Sequence, residues 1–166
     1  RAQKARMSAA PKPATLTFAT NHKARRDYDL LESFETGIEL KGTEIKSIRN
    51  HRVSLEGSFG RIDEGEAFLY NMHVQPYEQG GRYNVEPTRT RKLLLHRREI
   101  ERLDGLLSRG GLTLAPLRLR LKHGLVKVDL ALCKGRKLYE KRDVIHRREE
   151  DRELRRTLKA HQRRTS

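Results

Sequence analysis

The sequence predicts a mainly β fold with added α-helices, built as a small antiparallel barrel, and three patterns carry that expectation. Residues 112–121 and 126–132 alternate apolar and polar positions on either side of His123-Gly124, as two half-buried strands joined by a tight turn must. Residues 59–62 and 67–70 flank Asp63-Glu64-Gly65-Glu66, where Gly65 can take the positive φ of a hairpin turn. The helical patterns are too few to fall between all these strands, so a parallel sheet with crossover helices is excluded.

Taken in order, residues 1–16 mix Ala, Lys and Arg with Pro11 and Pro13, too poor in apolar side chains to offset ordering entropy. A disordered basic extension is expected there. Strand character begins at Tyr28, runs through Leu30 and Phe34, breaks at Gly37 and resumes at Ile38 and Leu40. After Gly42, Thr43 is placed to cap a short helix in which Ile45 and Ile48 share one face and Lys46 and Arg49 point elsewhere. Residues 76–92, with Pro76, Gly80, Gly81 and Pro87, read as a long loop with Arg89, Arg91 and Lys92 at its end. Residues 96–108 give the strongest helix of the body, with Ile100, Leu103, Leu106 and Leu107 on one stripe and Gly110-Gly111 as the stop. Residues 143–159 favour helix, with Asp143 as a cap and opposite charges at helical spacing, such as Arg147 with Asp151 and Asp151 with Arg155. Val144, Ile145, Leu154 and Leu158 are too few for a core-facing stripe, so this helix is expected to be marginal when free and ordered by a partner.

The charge is concentrated at the ends. The 166 residues carry 37 Lys+Arg against 22 Asp+Glu, a formal +15. Residues 1–26 hold seven basic and no acidic residues, residues 134–166 hold 13 basic and six acidic, and the body between them is nearly neutral. A field of that shape favours a polyanion touched at several places, with nucleic acid the first candidate and a soluble domain with solvated cationic ends the bland alternative. An acidic membrane surface fits less well, because neither end offers an apolar face.

Other chemistries lack their residues. No apolar run approaches the roughly 18–20 residues that cross a bilayer, and no signal-peptide core is visible. Cys133 is the single cysteine, which excludes an intrachain disulfide and points to a reducing, cytoplasmic compartment. The seven histidines are scattered without metal-ligand spacing, and no phosphate loop, paired-carboxylate signature or nucleophile elbow is present. The expectation is a binding protein with no cofactor, no metal and no catalytic residues.

Several strings, read together, resemble one family. They are Asn21 with Lys23-Ala24-Arg25-Arg26-Asp27-Tyr28, Phe34-Glu35-Thr36-Gly37-Ile38, Gly42-Thr43-Glu44-Ile45-Lys46-Ser47, and the hairpin from Ser58-Phe59 to Leu69-Tyr70-Asn71. Pro87 then leads into Arg91-Lys92-Leu93-Leu94-Leu95, followed by Leu125-Val126-Lys127-Val128 and Lys134-Gly135-Arg136-Lys137. In this order, over residues 18–150, the chain resembles the bacterial SsrA-binding protein (small protein B) family. The resemblance implies an oligonucleotide-binding-type β-barrel over residues 17–138 that grips the tRNA-like domain of tmRNA and delivers it to stalled ribosomes. It further implies a basic tail over residues 139–166, disordered when free, that becomes helical in the empty mRNA channel near the decoding centre. The partners it implies are tmRNA, held one to one by a monomer, and the ribosome, with alanyl-tRNA synthetase and elongation factor Tu engaged only through the RNA.

By the same resemblance the tmRNA contacts are Asn21, Lys23, Arg25, Arg26, Glu35, Glu44, Lys46, Arg49, Arg91, Lys92, Leu94 and Lys127. Residue chemistry fits most of these. The lysines and arginines neutralise phosphates, although Lys46 and Arg49 also read as an ordinary solvated face. Glu35 would accept from base N–H groups or be a plain strand-end carboxylate. Lys127 alternates with inward valines and so points outward, whereas Leu94 reads by pattern as core. The implied ribosome contacts in the tail are Lys134, Lys137, Tyr139, Glu140, Lys141, Arg142, Arg147, Arg148, Arg155 and Arg156. Tyr139 offers a ring for an rRNA base, or else closes the barrel, and Glu140 stands where the family usually has Asp. Arg120 and Leu125 occupy places where many relatives carry aromatics. A structural rRNA-binding protein and an RNA-processing enzyme are the rival readings.

Overall fold

The computed structural model describes residues 15–136 and 138–164. Two hairpins form its framework: β4 (Phe59–Asp63) with β5 (Glu66–Tyr70), and β8 (Leu112–Lys122) with β9 (Leu125–Gly135). Each turns on two residues of positive φ, Glu64 (48°) with Gly65 (75°) and His123 (50°) with Gly124 (76°). That geometry matches the right-handed twist of the flanking strands.

Around them lie β1 (Leu16–Thr20), α1 (His22–Asp27), β2 (Tyr28–Ile38) and α2 (Gly42–Arg49). A short pair, β3 (Val53–Ser54) and β6 (His73–Val74), forms a separate two-stranded ribbon. A 3₁₀ turn (Gly81–Tyr83), β7 (Arg91–Leu94), α3 (Arg97–Ser108) and α4 (Leu138–Arg164) complete the described chain.

The large sheet closes on itself. Its hydrogen-bonded order runs β8–β4–β5–β7–β2–β9 and returns to β8, with every pair antiparallel, and β1 adds to β8 outside the ring. The ring therefore has six strands, one more than the five of the oligonucleotide-binding pattern. Closure depends on Gly60 of β4, which faces Leu114 of β8; a Cβ at Gly60 would lie 2.8 Å from the Leu114 Cβ.

The barrel is filled by Leu55, Leu69, Leu93, Leu114, Leu119, Val128 and Leu130. α3 seals it with the stripe the sequence predicted: Leu103 is fully buried and Ile100, Leu106 and Leu107 pack beside it. A smaller cluster under α1 holds Ala24, Ala115, Leu117, Ala131 and Cys133. Burial pushes the Cys133 thiol up to about 11, so it is an inert packing residue.

Several expectations change. Leu16, assigned to the extension, begins β1, and α1 precedes the strand at Tyr28; residues 1–14 lie outside the described residues. α2 starts one residue before Thr43, because Glu44 Oε2 accepts from the Lys41 N–H at 2.9 Å and closes the first turn there, while the Thr43 hydroxyl donates to Tyr83 O. The loop ends before residue 91, since Arg91 belongs to β7. The tail expected to take up helix on a partner is helical over Leu138–Arg164. Residues 142 and 145–160 of α4 are exposed, and within that stretch His146 Nδ1 lies 3.4 Å from Glu150. Its root is fixed just upstream, where the Arg136 guanidinium donates to Asp29 at 2.7 Å and the Arg136 N–H donates to Asp27 O.

Candidate nucleic-acid interface

Strand register brings residues from four strands into one outward row. Leu94 of β7 faces Gly37 of β2, Gly37 faces Lys127 of β9, and Lys127 faces Arg120 of β8. Leu94 is 56% exposed, so the position that pattern alone made core is a surface one. A Cβ at Gly37 would lie 3.2 Å from Leu94 Cδ1, so the glycine lets the leucine lie close over the strand. Beside the row a hollow of about 230 Å³ is lined by Ile45, Arg49, Leu94, Leu121, Leu125 and Lys127. Arg49 and Lys127 make no hydrogen bond or ion pair among the described residues, so both cations are available to an incoming phosphate.

Two residues along the same face runs a charge ladder, with Glu35 facing Asp129 and Asp129 facing Arg118. Asp129 accepts from Arg118 Nε at 3.1 Å and Arg120 Nε at 2.9 Å. Glu35 accepts from Arg120 Nη2 at 2.6 Å and from the Lys122 ammonium at 3.1 and 3.2 Å. The hydrogen bond from Lys122 holds the Glu35 carboxyl below its ordinary range against the opposing pull of burial, with Arg120 and Lys127 adding their charge. Arg118, Arg120, Lys122 and Lys127 against Glu35 and Asp129 leave a surplus of two positive charges on an apolar-floored surface. Such a surface neutralises phosphate while giving a sugar or base face something to rest on.

The ladder extends toward α1 through a cleft of about 520 Å³ lined in part by Arg25, Phe34, Glu35, Arg118 and Arg120. The Arg25 Nε is buried without a hydrogen-bond partner. Asn21 caps the helix beneath: its Oδ1 accepts from the Ala24 N–H at 3.0 Å, and its Nδ2 donates to Leu55 O and Pro116 O. Lys23 reaches Glu56 only at 3.9 Å and Arg26 sits 3.5 Å from Asp27, so both remain loosely held surface cations. On α2, the Lys46 ammonium lies 5.3 Å from the centre of the Tyr77 ring. Lys92 is exposed and pairs with Glu66 at 2.9 Å.

Three of the sequence-assigned contacts are buried in the protein. Asn21 is 4% exposed, Glu44 4% and Arg91 0%, and all are saturated from within the protein. Arg91 donates to Glu44 Oε1 from Nε (3.0 Å) and Nη2 (2.8 Å), and to the carbonyls of Met72, Arg89 and Pro87. Burial pushes the Glu44 carboxyl up, but hydrogen bonds from Arg89 and the Lys41 N–H, with the charge of Arg91, outweigh it and hold the carboxyl below its ordinary range. These groups pin the segment before β7 against α2.

In the tail, Lys134 and the α4 residues Arg142, Arg147, Arg148, Arg155 and Arg156 are exposed. Arg148 Nη2 donates to the Arg25 carbonyl at 3.4 Å, a long contact to the body. Tyr139, Glu140 and Lys141 lie in the opening turns of α4, and Lys137 lies outside the described residues. Sequence reasoning passed over Arg118 and Lys122, and took Arg120 only as a departure from relatives. The signal was present: cations at 118, 120 and 122 alternate with Leu117, Leu119 and Leu121. Among the described residues no three His, Cys, Asp or Glu side chains gather where a metal could bind, and no helix is long and apolar enough to cross a membrane.

The SmpB protein family model matches residues 18–160. The SsrA-binding protein of Geobacillus thermodenitrificans (strain NG80-2) is 53% identical over 152 residues, covering 92% of this chain and 98% of the relative. That of Bacillus subtilis (strain 168) is 53% identical over 149 residues, 90% and 96% of the two chains. A solved structure described as "tmRNA-SmpB: a journey to the center of the bacterial ribosome" superposes with a TM-score of 0.61 at 50% identity, over 74% of this chain and 86% of that one. The matched span takes in the whole closed ring, the outward row and the charge ladder, and the chain belongs to the SmpB protein family.

Proposed function

We propose that this protein is an RNA-binding adaptor of ribosome rescue. Its barrel holds the tRNA-like domain of tmRNA and carries it to stalled ribosomes for trans-translation, while the basic tail occupies the empty mRNA channel near the decoding centre. The observation that carries the reading is the outward row Leu94–Gly37–Lys127–Arg120, an apolar spot bounded by an unpaired lysine and a cation-rich ladder. The RNA contacts are then Lys23, Arg25, Arg26, Glu35, Lys46, Arg49, Lys92, Leu94 and Lys127, joined by Arg118, Arg120 and Lys122. Glu35 holds the Arg120 and Lys122 head groups in place and retains lone pairs for base N–H groups.

The names of the relatives and the description of the neighbouring structure support tmRNA and the ribosome as the ligands. We assign a monomer on one tmRNA, acting in the cytoplasm, with alanyl-tRNA synthetase and elongation factor Tu meeting the RNA rather than the protein. The test is gel-shift binding to tmRNA, tRNA and rRNA fragments at several salt concentrations. Nanomolar preference for tmRNA is expected; equal binding to all three would reduce the protein to a generic RNA binder.

A further inference from the structure

The chain has four Phe and five Tyr residues, and among those outside both core clusters, Phe59, Phe68 and Tyr70 sit together on one hairpin. All three stand on the outer face of the β4–β5 hairpin, while Gly60, Ala67 and Leu69 between them are buried. Phe59 faces Tyr70 with the rings stacked, centroids 5.4 Å apart and planes 9° from parallel. In the next outward row Arg61 faces Phe68, and Phe68 faces Lys92 of β7. Arg61 is exposed and makes no hydrogen bond or ion pair among the described residues. Lys92 is held only by its solvent-exposed pair with Glu66, which a phosphate can displace.

We propose that this aromatic face is a second RNA-contact surface. It stacks unpaired nucleobases on Phe59 and Tyr70 while Arg61 and Lys92 take the flanking phosphates, a proposal that rests on the reading that the ligand is RNA. Outward aromatics on adjacent strands with cations between them form the sequence-tolerant platform single-stranded RNA requires, since every base offers a π face. The surface is also continuous with the first: Lys92 and Leu94 point outward from the same strand, so one RNA can run from the Leu94 row across β7 onto the hairpin. Asp63, Glu64 and Glu66 at the hairpin tip end the track by repelling phosphate.

The test uses the intact protein and two probes, tmRNA and a 12-nucleotide oligouridylate carrying 4-thiouridine. Photocrosslinking of the oligouridylate followed by mass spectrometry is expected to mark residues 59–70. Phe59→Leu, with folding checked by thermal melting, should weaken oligouridylate binding about 5- to 100-fold at an unchanged salt slope. Arg61→Ala should instead make the log–log salt slope shallower by about 0.7. Crosslinks confined to other strands, with Phe59→Leu within twofold of the unsubstituted protein, overturn the proposal. If Lys127→Ala still weakens tmRNA binding in that case, the adaptor function stands without this surface. If the hairpin crosslinks and Phe59→Leu loses affinity, but tmRNA is not preferred over tRNA, the stacking surface stands and the adaptor reading falls.

Discussion

Removing the Arg91 guanidinium tests whether the buried Glu44–Arg91 pair supports the interface from below. Arg91 is fully buried and makes two hydrogen bonds to Glu44 and three to main-chain carbonyls of Met72, Arg89 and Pro87. Arg91→Ala leaves those carbonyls without their donor and strands a carboxylate that is 3% exposed, with Arg89 and the Lys41 N–H as its remaining partners. Breaking such a pair costs about 3–5 kcal/mol. For a chain of this size that corresponds to a fall in melting temperature of about 6–20 °C, readable by circular dichroism at pH 7. The pair also gives a pH signature. Glu44 titrates below its ordinary 4.5 in the folded chain, so its contribution is complete above that pH and is lost as pH falls through the lower folded value. Glu44→Gln should therefore flatten the stability profile below pH 4.5, and the double variant should lose at least 1 kcal/mol less than the sum of the singles. A loss below 1 kcal/mol for Arg91→Ala, or strictly additive singles, refutes the account.

Gly60→Ala places a methyl 2.8 Å from Leu114 Cβ at the β4–β8 seam and should destabilise the fold by about 1–3 kcal/mol in urea titrations. Lys127→Ala should weaken tmRNA binding and make its salt dependence shallower; an unchanged slope would show that this lysine meets no phosphate. Deleting residues from Tyr139 onward should leave tmRNA affinity intact but abolish peptide tagging on stalled ribosomes, as measured by recovery of tagged product. A peptide of residues 138–164 should show only partial helix by circular dichroism in buffer, because its apolar side chains are too few to stabilise it alone.

The parts of the fold that the sequence made legible are those fixed by local pattern. The β8–β9 and β4–β5 hairpins announce themselves by period-two alternation and positive-φ turns, and α3 by its leucine stripe. β1 and α1 were missed because five strand residues and one and a half helical turns follow an Ala/Lys/Pro-rich run. What defines α1 is Asn21 hydrogen-bonded to Leu55 and Pro116, partners 34 and 95 residues away. The side-chain placements that residue type alone gets wrong share one physical cause. In Arg91-Lys92-Leu93-Leu94 the strand period puts Arg91 and Leu93 inside and Lys92 and Leu94 outside. Residue type alone puts the arginine outside and Leu94 inside. Register decides, and register is set by Gly37 and Leu69 on neighbouring strands. The cations of β8 were in plain sight, but their meeting with Glu35 and Asp129 required the β2–β9–β8 alignment.

The exposed α4 carries a thermodynamic corollary for how the two ends of the molecule cooperate. Over residues 145–160 the side chains are exposed and the described hydrogen bond to the body is the long one to Arg25, so that stretch has little to give up when it moves to new surroundings. Engagement of that stretch gives up little contact with the body. Once the body is anchored, the tail samples its target at an effective concentration on the order of millimolar, so contacts with a Kd of about 1 mM are enough to half-fill it. An affinity that weak is reversible on the timescale of a search. On the proposed adaptor function, the same body would thus lodge its tail where the path is clear and withdraw it where the path is blocked.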